Sequence, residues 1–210
     1  MAVHQSFTAL FLVMSYGATF AYNRGCDFSQ LDLDGAVDKV IGLLPRYRMP
    51  DEKGFRTAFK GFETGTLNIT GLETIQRYGP IQSYCVNGTR LISVDLIEQG
   101  DAMLTLPWRA CSGQEGTINL RTKLSRFTLI LRVEEAARTS QEVRLAYEGP
   151  IIPVFILDPK IYIEGAGSGV RVATMSISKI FPALSERVWF DYFLIYFRGV
   201  VRHALRDAFP

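Results

Sequence analysis

The sequence predicts an α+β fold in which a highly curved antiparallel sheet wraps around a long C-terminal helix, with a second helix near the N-terminus. Two observations carry this. From Phe55 to Ser176 the apolar residues mostly alternate with polar ones, and from Ile177 to Phe209 the spacing becomes helical. Within that last stretch, Val188 to Phe197 (VWFDYFLIYF) is apolar around most of its circumference. A helix of that kind must be buried on all sides, and a flat sheet covers only one. The chain has 210 residues, 48% apolar and 21% charged, with a net charge of +2. That suits one domain with a sizeable core and makes nucleic acid a poor partner.

Residues 1–21 read as a secretion signal. Phe7 to Met14 is nearly all apolar, no charged side chain precedes Arg24, and Thr19 and Ala21 are small residues placed for cleavage after Ala21. The alternative is a membrane anchor, but Phe7 to Ala21 falls short of the ~20 residues a span needs and is broken by Tyr16 and Gly17. Residues 22–210 then form a single domain without a transmembrane segment. Two sequons, at Asn68 and Asn87, fit export and glycosylation. Asn68 lies on the polar side of its strand, where a glycan must point.

Phe28 to Arg46 reads as an amphipathic helix, with Leu31, Val37, Val40, Ile41 and Leu44 on one side and Pro45 ending it. In the meander that follows, Ile81 to Val86 meets Arg90 to Glu98 across Asn87-Gly88, a strong hairpin signal. Ile92, Val94 and Leu96 share one face, as do Leu104, Leu106 and Trp108. Ile118, Leu120 and Leu124 follow, and Phe127, Leu129, Leu131 and Val133 continue the same face. Val143 to Tyr147 adds a strand. Ile161 to Ile163 and Val170 to Met175 read as a last hairpin around Gly165 to Gly169.

Three cysteines remain after cleavage, Cys26, Cys85 and Cys111, so one disulfide and one free thiol are expected. Three pairings are possible. Cys85 and Cys111 fall at the same end of the meander, which favours that pair if the loop after Cys111 folds back.

Enzyme chemistry finds little to work with. The mature chain has one histidine, His203, in the final helix, and no nucleophile elbow. Glu134-Glu135 are strand neighbours pointing to opposite faces. Gly165 to Gly169 lacks the lysine and the following helix of a phosphate loop. No metal site or cofactor is implied, since one histidine and three scattered cysteines fit no ligand spacing.

Gly71-Leu72, Arg77 and Gly79 open the meander, the Asn87-Gly88 hairpin follows, and Ile180-Phe181, Ala183-Leu184-Ser185, Val188 to Leu205 and Ala208-Phe209 make the closing helix. In this order, from about Phe28 to the end, the sequence resembles the mite group 7 allergens. More distantly it resembles juvenile-hormone-binding and bactericidal/permeability-increasing-type proteins of the tubular lipid-binding fold. The resemblance implies a secreted, extracellular protein whose curved sheet and helix enclose a lipid or other apolar molecule, with roles in transport or innate immunity.

The expected ligand contacts are inward apolar positions: Ile92, Val94, Leu104, Leu106, Trp108, Leu120, Phe127 and Leu129 on strands, and Phe190, Phe193 and Phe197 on the helix. An acyl chain of about fourteen methylenes gains roughly 11 kcal/mol at ~0.8 each. Association costs of roughly 4 kcal/mol or more come off that, so binding needs no charged anchor. The rival reading is a filled core and a protein that acts on a host, microbial or partner molecule through its surface; a third is binding to microbial surfaces through loop-tip basic residues such as Arg46 and Arg48. Oligomeric state is left open.

Overall fold

The computed structural model describes residues 26–44, 54–100, 102–135 and 143–210. The expected signal segment, Arg46 and Arg48 lie outside them. The architecture is α+β: two antiparallel sheets, one curled strongly into a half-barrel, with a long C-terminal helix and shorter helices.

Helix α1 (Leu33–Leu43) starts where Asp32 accepts a hydrogen bond from the Gly35 backbone N–H at 2.9 Å, satisfying one orphan donor. It buries Ala36, Val37 and Val40. Arg77, on the facing strand, pairs with Asp34 and lies 3.8 Å from Asp38.

The first sheet contains β1 (Arg56–Phe59), β2 (Phe62–Thr64), β3 (Asn68–Thr70), β7 (Met103–Ala110), β8 (Glu115–Arg121) and β12 (Lys160–Glu164). The half-barrel contains β4 (Gln76–Arg77), β5 (Gln82–Val86), β6 (Thr89–Glu98), β9 (Leu124–Glu135), β10 (Val143–Tyr147) and β11 (Ile152–Leu157). The Asn87-Gly88 turn joins β5 to β6 as expected, with positive φ at both residues, the geometry that asparagine and glycine tolerate best.

The apolar rows fall in register. Ile92 faces Leu131, Val94 faces Leu129 and Leu96 faces Phe127. In the first sheet Leu104 faces Leu120 and Leu106 faces Ile118. The chain changes sheet between β8 and β9, so the row from Phe127 to Val133 lines the half-barrel and does not extend the row of β8.

One buried carboxylate marks the crossings. Glu98 ends β6, is fully buried, and accepts hydrogen bonds from the backbone N–H of Gly100 and of Ala102 (3.0 Å) and from the Thr122 hydroxyl (2.9 Å). It thereby ties the β6–β7 crossing to the β8–β9 crossing. A further crossing, β11 to β12, joins these two through the Lys123 N–H donating to the Leu157 carbonyl at 3.0 Å.

The last third departs from the expected hairpin. Val170 to Met175 belongs to α2 (Ser168–Ile180), not to a strand. Thr174 and Ser178, one helical turn apart, present hydroxyls that accept from the backbone N–H of Ile163 (3.3 Å) and Ile161 (2.9 Å). These bonds cover the free edge of β12. The glycine-rich segment therefore does lead into a helix, although the lysine of a phosphate loop is still missing. The chain then breaks at Phe181, and α3 (Pro182–Ala208) begins with proline at its first position, where the missing N–H costs nothing.

Helix α3 is not buried on all sides. Ser185, Trp189, Phe193 and Phe197 form a buried stripe, while Leu184, Tyr192 and Ile195 are exposed. Beyond Phe197 the buried arc widens to pairs, Val200 with Val201 and Ala204 with Leu205. There α1 packs against α3 and closes what the half-barrel leaves open. Along the N-terminal half, outside the reach of α1, one face stays in solvent.

The disulfide joins Cys26 to Cys85, and Cys111 is an exposed free thiol. The expected Cys85–Cys111 pair is thus replaced. Cys111 lies beyond β7 in the other sheet, beside Gly61, whereas the segment leading into α1 crosses β5. The bond closes a span of 59 residues and by loop entropy contributes about 4 kcal/mol. Peptide mapping without reduction is expected to find Cys26 and Cys85 linked and Cys111 alkylated, and Cys111→Ser is expected to shift stability by less than about 0.5 kcal/mol.

Replacing Glu98 by alanine strands three donors in a buried site. A loss of about 3 kcal/mol or more is expected in urea unfolding. A change under about 1 kcal/mol would show that the crossings hold without it.

Candidate functional site

The eleven inward positions do not form one continuous cavity wall. Ile92, Val94, Phe127, Leu129, Phe193 and Phe197 are packed in the core of the half-barrel. Trp189, Phe193 and Phe197 stack along α3 at 4.6 and 5.5 Å between ring centroids, and Phe127 meets Phe197 edge-on at 5.0 Å. The Trp189 indole N–H reaches the Ser125 hydroxyl at 3.3 Å. An apolar crevice between Val37, Val40, Val94, Leu129 and Val201 encloses only about 10 Å³, the room of a single water. These side chains pack against one another in the core.

Leu104 and Leu120 are also buried and belong to the same core. The remaining three positions differ. Leu106 and Phe190 are only half-buried, and Trp108 is buried outside the main core cluster. Leu106 lies in register with Ile118, which lies in register with Ile163. Both isoleucines are half-buried. The inner face of the first sheet thus carries an apolar row past the point where the core ends.

Trp108 closes that row at one side. Its indole stacks on Phe62 at 5.7 Å, which stacks in turn on the exposed Phe59 at 4.8 Å. The Trp108 ring N–H is buried and has no hydrogen-bond partner among the described residues. Such a donor is costly unless something accepts from it. Across β12, α2 carries Val170, Ile177 and, at its end, Phe181 on one helical side, all exposed. The β12 row, the β7–β8 row and this side of α2 are incompletely covered apolar positions that together offer a candidate trough. The sequence marked its floor through Leu106 and Trp108. It missed Ile118 and Ile163 as contacts, and the α2 wall because those residues read as a strand.

The outer faces are polar. Asp95 accepts from the Thr128 hydroxyl at 2.6 Å and pairs with Arg126, whose guanidinium lies 4.3 Å from the Tyr78 ring. Partial burial pushes the Asp95 carboxyl up, but the bonds from Thr128 and Arg126 outweigh it and hold it below the ordinary aspartate value. His203 is exposed on α3 and bonded to Arg206. Glu134 is exposed and paired with Arg132 at 2.8 Å. Asn68, in β3, and Asn87, at the hairpin tip, are both exposed. Among the described residues no helix is long and apolar enough to cross a membrane.

No protein-family model matches the chain, and comparison with curated proteins returns no match.

The packed and open halves of α3 are expected to respond differently to truncation. Phe193→Ala should cost about 3–5 kcal/mol in chemical unfolding, while Ile195→Ala, two residues on, should stay within about 0.5 kcal/mol. Equal losses would contradict the assignment of Phe193 to a structural core.

Proposed function

We propose that this chain is a secreted, non-enzymatic protein that binds a lipid or similar apolar molecule along the inner face of the first sheet, for transport or for a role at a host or microbial surface. The observation that carries the reading is the row Leu106–Ile118–Ile163, apolar but only half-buried, continuing beyond a closed core. Apolar surface of this kind gains about 25 cal/mol for each Å² that a ligand removes from water. The Trp108 N–H, without a partner among the described residues, supports an amphiphile, whose polar end supplies the acceptor. The resemblance to tubular lipid-binding proteins agrees with this chemistry. Export is supported by the expected signal segment, the disulfide and the exposed sequons at Asn68 and Asn87.

The site is narrower than the eleven positions first expected. Leu106 and Trp108 remain as contacts, joined by Ile118 and Ile163, while the other positions pack in or against the core.

A second reading has an observation of its own. The crevice beneath α1 is nearly filled, while Leu184, Tyr192 and Ile195 expose an apolar stripe on α3. A protein that docks on a partner through that stripe would look the same.

Native mass spectrometry of the secreted chain, together with uptake of a fluorescent fatty acid, separates the two. Bound lipid or saturable uptake is expected. Trp108→Phe should weaken uptake about 3- to 10-fold, the worth of one hydrogen bond, without lowering the unfolding midpoint. Bare protein with no uptake would exclude the trough and leave the docking reading.

A further inference from the structure

The open face of α3 carries a pattern that is complementary to itself. At 3.6 residues per turn, Leu184, Val188, Tyr192 and Ile195 fall within one arc of the helix. Leu184, Tyr192 and Ile195 are 53%, 53% and 62% exposed, and Val188 is half-buried. Along one edge of this arc Arg187 and Asp191 pair at 2.7 Å across one helical turn, both in solvent. Glu186 projects from the opposite side of the helix.

The order of these residues reads alike in both directions about a point between Trp189 and Phe190. When a second copy of α3 is laid antiparallel about a twofold at that point, Leu184 stands opposite Ile195 and Val188 beside Tyr192, each contact occurring twice. Arg187 comes beside Asp191 of the second copy and Asp191 beside its Arg187. The two intrahelical pairs then merge into a ring of four charges that alternate in sign. The helices overlap from Pro182 to Phe197, so Arg198, Arg202 and Arg206 stand outside the contact.

The size of the face fits this occupant. At roughly 200 Å² for a fully exposed large side chain, Leu184, Tyr192 and Ile195 offer roughly 300 Å² per copy, and Arg187 and Asp191 add a polar rim of roughly 200 Å². Two copies thus bury about 1,000 Å², the class of interface found in weak, reversible pairs. A bilayer would strip water from Arg187 and Asp191 and add no new partner to either, which is costly. A second copy supplies the opposite charge at the matching place.

We propose that the open face of α3 is the interface of a reversible, twofold-symmetric dimer of this chain, with the two α3 helices antiparallel. The inference is independent of the apolar trough and uses none of the contacts assigned to it.

The test is sedimentation equilibrium of the full secreted chain in a Cys111→Ser background, which removes any dimer linked through the exposed thiol. A monomer–dimer equilibrium with a dissociation constant in the micromolar range is expected. Ile195→Asp should weaken it at least about 10-fold while leaving the unfolding midpoint of the dilute monomer unchanged, because the side chain is exposed. If that variant disturbs folding, Leu184→Arg replaces it. Asp191→Arg should also weaken the dimer, and Asp191→Arg/Arg187→Asp should restore it, since the double exchange rebuilds the alternating ring. In the same background, Leu184→Cys chains mixed with Ile195→Cys chains should form the mixed disulfide in preference to either symmetric one. A monomer up to about 200 μM, a dimer that Ile195→Asp leaves intact, or a double exchange that fails to restore it overturns the proposal. Binding of the monomer to phosphatidylcholine vesicles that Ile195→Asp abolishes, without self-association, also overturns it and assigns the face to a bilayer.

Discussion

The fold depends on the burial of one aromatic stripe. Trp189, Phe193 and Phe197 stack at successive turns of α3, and Phe127 from β9 closes on them edge-first. All four are almost wholly removed from water. Large side chains in a row cannot be covered by a flat surface without leaving gaps, and gaps in a core are costly. Strands β6, β9 and β10 therefore curve around the stripe, and the inward row of β6 and β9, from Ile92 to Leu96 and from Phe127 to Val133, follows its length.

Curvature creates a joint. Where the chain leaves the half-barrel for the first sheet, the ladder of backbone bonds is interrupted and its donors need other partners. Glu98 supplies them at two crossings at once. A carboxylate is costly to bury, but here it receives three hydrogen bonds and fixes the relative position of turns that are distant in sequence. The same joint brings Arg121, Lys123 and Lys160 into one concavity. The charged cleft follows from how the sheets are sewn together.

Much of this was legible in the residues. Alternation located the strands and Asn87-Gly88 located a hairpin, while the first helix, expected from Phe28 to Arg46, is the shorter Leu33–Leu43. Three things were not. The disulfide partner of Cys85 depends on how the segment before α1 crosses β5, a tertiary fact with no local signature. Val170 and Val172 alternate as a strand would, yet both are exposed on α2, and what sets the helix there is the service of Thr174 and Ser178 to the edge of β12. The circumferential burial of Val188 to Phe197 was over-read as well. Hydrophobicity around a helix shows that it tolerates burial on every side, whereas coverage is decided by where neighbouring elements end.

That last point bears on where a ligand could sit. Nine of the eleven positions picked for inwardness are almost wholly buried, because inward alternation is a signature of core before it is a signature of a cavity. A site for an apolar molecule needs residues that are oily and incompletely covered, and neither property alone is visible in a single sequence. The half-covered row of Leu106, Ile118 and Ile163 meets both conditions, since α1 ends its coverage near the C-terminal half of α3 and α2 lies against the edge of the first sheet and not across its face. The division of labour is thus set by helix length and placement. One end of the molecule is closed by α1 and supplies stability, and at the other the apolar face of the first sheet stays half-covered.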